Sequence, residues 1–135
     1  MKTLFQKIID FLFGSKKKTV EKSRLQIAFD EAKKQWTSKG AILPQIILTD
    51  HGIASPGGLN NGYAFTYPEK GIMTINISTD WKNFSNGVLM QILLHEIGHA
   101  VKGNWNHSKN PNDIMFESVD GKHLELTSFD LEWAK

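Results

Sequence analysis

The stretch running from about Ser85 to Gly103, "SNGVLMQILLHEIGHAVKG", most restricts what this chain can fold into. It is almost wholly apolar and stops near a glycine, which predicts a central helix buried on every side. Inside it lie His95, Glu96 and His99. Such groups are costly to bury unless something satisfies them, and a metal ion does so directly.

On a helix, His95 and His99 stand one turn apart on one face, where two imidazoles can hold one ion at about 2.0–2.1 Å per bond. Glu96 lies beside that face, placed to reach a water on the ion without ligating it. The arrangement suits metal-assisted hydrolysis, in which the ion acidifies water and polarises a carbonyl while a carboxylate carries the proton. H-E-x-x-H alone is short enough to arise by chance, and two ligands leave a catalytic zinc incomplete. The chain contains no cysteine, so any zinc (Zn2+) must be held by histidine and carboxylate. After Val101, "KGNWNHS" offers Gly103, Asn104 and Asn106, residues tolerant of left-handed backbone, to stop the helix and reverse the chain. His107 is the first histidine beyond that reversal and the candidate third ligand. Asp113 and Glu117, expected to be solvated, are its obvious substitutes.

A chain of 135 residues, 40% hydrophobic and 22% charged, predicts one compact domain. A net charge of +2 gives no field that argues for nucleic acid or an anionic membrane. Residues 1–18 read as an amphipathic helix followed by a basic linker, "KKK", with apolar Leu4, Phe5, Ile8, Ile9, Leu12 and Phe13 interleaved with Gln6, Lys7 and Asp10. That helix is expected to cover the domain, the alternative being a membrane-surface or partner contact. No clear signal peptide or membrane-spanning run is present, and the cellular compartment stays open.

Residues 19–135 form the expected domain. A helix is predicted from about Val20 to Trp36, ended by "TSKG"; a buried strand at Gln45 to Asp50; and two alternating strands, "YAFTY" and "IMTINIS", joined by "PEKG". "HGIASPGGLNNG" between them reads as a loop. Asp50 and backbone carbonyls there could supply calcium (Ca2+), though no motif specifies it. Trp81, Trp105 and Trp133 are expected to be packing anchors, Met73 and Met90 core residues, and His51 a surface residue.

"HEIGHAVKGNWNHS" followed by "NPNDIMF" resembles the metzincin zinc peptidases, and most of all their matrixin branch, with its HExxHxxGxxHS pattern and later Met-turn. The resemblance runs from about Arg24 to Lys135 and is strongest over the final third. It implies His95, His99 and His107 as zinc ligands, Glu96 as catalytic base, Gly103 as the turn glycine and Met115 as a hydrophobic floor beneath the metal. It also implies a small α/β zincin domain: a twisted mixed sheet of three to five strands, a long helix and the central zinc-binding helix. A polypeptide substrate would lie antiparallel to the "YAFTY" edge strand, with "FESVDGKHLE" walling a specificity pocket. "LTSFDLEWAK" matches the carboxy-terminal helix, with Thr127 or Ser128 as N-cap. The expected protein is a monomeric zinc endopeptidase.

The chain departs from the pattern in three ways. The turn before His107 is two residues longer, the usual first strand is not visible, and the cysteine-switch propeptide and second-zinc histidines are missing. Two rival readings follow: a hydrolase with Glu117 or Glu125 as third ligand, and a non-catalytic module with or without structural zinc.

Overall fold

A computed structural model describes the backbone of residues 17–50 and 63–133 and the side chains of 24–50 and 63–133. The amphipathic segment expected before residue 17, and the 51–62 loop with His51 and most of the calcium donors, lie outside the described residues. In chain order the elements are α1 (Lys17–Ser38), β1 (Ile46–Thr49), β2 (Ala64–Glu69), β3 (Ile72–Ile77), a 3-10 helix (Thr79–Asn83), α2 (Asn86–Lys102) and α3 (Ser128–Trp133). The architecture is mixed α/β.

Helix α1 starts at Lys17, earlier than its expected onset at Val20. Leu25, Phe29, Ala32 and Trp36 recur at helical spacing and are all buried. The helix closes in a Schellman motif, with Gly40 at φ 100, its N–H on Thr37 O and the Ala41 N–H on Trp36 O.

Strands β2 and β3 form an antiparallel hairpin whose last pair is Glu69 with Ile72. Lys70 (φ 53) and Gly71 (φ 80) make the turn, both in the left-handed conformation of a type I′ hairpin. β1 joins β3 in parallel, giving the order β1-β3-β2. The described residues thus hold a three-stranded mixed sheet, the low end of the expected range. Ile75 and Ile77 of the central strand enter the core. β2 pairs only with β3, leaving its other edge free of strand partners among the described residues.

Helix α2 is capped by Ser85, whose side chain accepts the Val88 N–H, and ends at left-handed Gly103, whose N–H reaches His99 O at 2.7 Å. It is buried without a break from Gln91 to Ala100 because α1, β2, β3 and α3 all contact it. Two of its carbonyls accept second hydrogen bonds, Leu94 from the Trp36 indole (2.9 Å) and Gly98 from the Trp133 indole (3.0 Å), and the Thr66 hydroxyl of β2 donates to the Glu96 side chain (2.5 Å). The helix is therefore fixed from three elements at once.

Several expectations about single residues need correction. Trp81 is buried and Trp133 packs against the core, but Trp105 is 47% exposed. Met73 is only half-buried, whereas Met90, also half-buried, packs against the core as expected. Asp113, expected to be solvated, is buried because Ser108 and Thr127 donate to its carboxylate. No helix among the described residues is long and apolar enough to cross a membrane.

Candidate metal centre

Helix α2 brings His95 and His99 to one face, with their Nε2 atoms 3.0 Å apart. His107 faces them from beyond the helix, its ring centroid 5.1 Å from that of His95 and 5.0 Å from that of His99. The ligating nitrogens of all three lie within 4.8 Å of one another. Two of the rings are buried and His107 is exposed.

Hydrogen bonding fixes which nitrogen of each buried ring carries the proton. His95 Nδ1 lies 2.7 Å from Ile114 O and His99 Nδ1 lies 2.9 Å from Asn104 O. A carbonyl only accepts, so both Nδ1 atoms donate. Burial pushes His95 down to about 4, reinforced by His107 and opposed by the Ile114 bond. It pushes His99 down to about 3, with His95 adding to the effect. Both rings are then neutral near pH 7, and each Nε2 holds a lone pair. Two lone pairs 3.0 Å apart repel unless a proton or cation lies between them. Zinc, bound by imidazole at about 2.0–2.1 Å, suits this donor set, which contains neither thiolate nor the crowd of oxygens that calcium requires.

The turn reaches His107 differently from what its composition suggests. Gly103 is left-handed, but neither Asn104 nor Asn106 is. Asn104 works through its side chain, which accepts the Asn106 N–H at 3.1 Å, while its carbonyl orients His99. Beyond the turn, Ser108 donates its N–H to Met115 O at 2.8 Å and its hydroxyl to Asp113. Those bonds fix the backbone immediately after His107.

Met115 is fully buried behind the histidine helix, where a Cβ built on Gly98 would meet its Sδ at 2.2 Å. Gly98 is thus the residue that lets the methionine approach. Asp130 of α3 holds the same turn, accepting the N–H groups of Ile114 (3.0 Å) and Met115 (3.1 Å). Asp130 also accepts the Thr127 N–H (2.8 Å), and Thr127 Oγ1 receives the Asp130 N–H (3.3 Å), a capping box with Thr127 as N-cap.

Glu96 lines a cleft of about 550 Å³ together with His95, His99, His107 and Thr66. Burial pushes its carboxyl up to about 7, while the hydrogen bond from Thr66 Oγ1 (2.5 Å) works in the opposite direction. A carboxyl balanced near neutrality can both take and return a proton. Glu117, Ser118 and Val119 form part of the cleft wall. Glu117 and Glu125 are exposed, and neither belongs to the group that converges on a shared point.

Sequence reasoning missed Thr66, Asp130 and Gln91, whose Oε1 accepts the Gly121 N–H (2.8 Å) and pins the loop after the wall. Thr66 carried a faint signal as a polar residue on the same strand face as Ala64. Gln91 carried one as the polar exception in an apolar helix. No protein-family model, curated protein or solved structure matches this chain.

Proposed function

We propose that the chain is a zinc-dependent endopeptidase of the metzincin type, closest to the matrixins. The observation that carries this reading is the convergence of His95, His99 and His107 in a cleft that also holds Glu96. His95, His99 and His107 would hold zinc, with Met115 behind them. When bound, the metal would supply Lewis-acid polarisation of a carbonyl and lower the pKa of a water. Glu96 takes the proton from water and delivers it to the leaving amine, while the Thr66 hydroxyl keeps its carboxylate aimed into the cleft. The substrate lies extended and antiparallel along the free edge of β2, held by main-chain hydrogen bonds.

Glu96→Gln tests this reading. The substitution is close to isosteric and removes basicity, so the variant should bind zinc at the wild-type ratio and lose peptide hydrolysis by about 10²–10⁴-fold or more. Undiminished turnover by the zinc-loaded variant would remove the mechanism. Zinc binding without cleavage of any library peptide by the wild type would leave a non-catalytic zinc module.

A further inference from the structure

The Ser78 N–H donates to Tyr63 O at 2.8 Å, and Ala64 is paired with Ile77. In an antiparallel ladder the hydrogen-bonded positions alternate, so Phe65, Tyr67 and Glu69 bond to β3 while Ala64, Thr66 and Pro68 turn their main-chain groups to the free edge. That edge is incomplete. Pro68 has no N–H to give. The Thr66 carbonyl already accepts the indole N–H of Trp105 at 2.6 Å, which leaves it one lone pair with the indole beside it. The indole therefore occupies one of the two lone pairs of a carbonyl that faces the free edge. Of these three outward positions, Ala64 alone has both an N–H and a carbonyl that bond to no other described residue. The cleft agrees with this limit: its strand lining runs from Tyr63 to Thr66, and Trp105 is among its walls.

A peptide antiparallel to β2 has its amino-terminal residues toward Thr66 and Pro68 and its carboxy-terminal residues toward Ala64. We infer that Trp105, carried on the lengthened turn before His107, closes the substrate ladder at Thr66, so that the enzyme recognises peptides by the residues around and after the cleaved bond. Residues further toward the amino terminus find no complete rung and add little to binding. Trp105 is thus a specificity-determining residue, and the two additional turn residues give the loop its reach across the cleft. This inference rests on the proposed peptidase reading.

The test uses the full chain with zinc and a peptide that the wild type cleaves, lengthened by one to four residues at either end. Wild-type kcat/KM should change less than about twofold with amino-terminal lengthening. Trp105→Phe keeps an aromatic ring and removes the donor, which frees the Thr66 carbonyl. In that variant amino-terminal lengthening should raise kcat/KM by about fivefold or more, chiefly through a lower KM, whatever its absolute rate. The same gain should appear in the dissociation constants of the peptides for Glu96→Gln protein with and without Trp105→Phe. A wild-type enzyme that already gains fivefold from amino-terminal residues, or equal length profiles in wild type and Trp105→Phe, overturns the inference while leaving the peptidase standing. Failure of the wild type to cleave or bind any peptide overturns both.

Discussion

His107 is the exposed member of the histidine group, and its place depends on its neighbour. Ser108 ties the chain to Met115 O and to Asp113, so the imidazole is delivered by an anchor after it as well as by the turn before it. A longer turn costs little under such an arrangement, because loop-closure entropy grows only slowly with length. Gly98 plays the opposite role, since its value lies in what it leaves out. A Cβ there would stand 2.2 Å from Met115 Sδ and 3.1 Å from Trp36 Cζ2, both on fully buried side chains. Gly98→Ala should therefore destabilise the fold by about 1–3 kcal/mol through overpacking, despite the better helix propensity of alanine. Denaturant unfolding measures this, and an unchanged or raised midpoint would show that Met115 has room to move.

The elements meet at the turn that carries Ile114 and Met115. Its carbonyl at Ile114 orients His95, and its N–H groups at Ile114 and Met115 end on Asp130 of α3. Removing that carboxylate leaves buried donors without an acceptor. Asp130→Ala should cost at least about 2 kcal/mol in unfolding free energy and lower zinc affinity as well, because the acceptor that sets the His95 tautomer is released. Competition against a chromogenic chelator reads the second effect; wild-type affinity in the variant would mean that α3 plays no part in the site. Asp130 also shows where sequence reading stops. "TSFD" announces a helix start through Thr127, yet nothing local says that the same carboxylate reaches back to residues 114 and 115. Distance along the chain also hides Thr66 as the partner of Trp105 and Thr127 as one of the two donors to Asp113, the other being the nearby Ser108. Elements whose signals are local were legible. α2 carries its own apolar pattern and terminal glycine, and the β2–β3 hairpin carries its own alternation and Lys-Gly turn.

At the scale of the whole molecule, a three-stranded sheet and three α-helices among the described residues surround two neutral imidazoles whose lone pairs face each other. A cation that relieves this contact binds the folded chain and not the unfolded one, so it must raise stability. Zinc at a hundred times its dissociation constant should add about 2.7 kcal/mol, which for a domain of this size is roughly 5–15 °C in Tm. Thermal melts with zinc and with a strong chelator check this, and coincident curves would mean that no metal is held. The most direct measurement is a crystal structure of zinc-loaded protein with anomalous scattering recorded at the zinc edge. The account predicts one strong peak bonded to Nε2 of His95, Nε2 of His99 and a ring nitrogen of His107, with Met115 behind it and Glu96 beside it without ligating. A peak elsewhere, or one held by Glu117 with His107 turned to solvent, would contradict it.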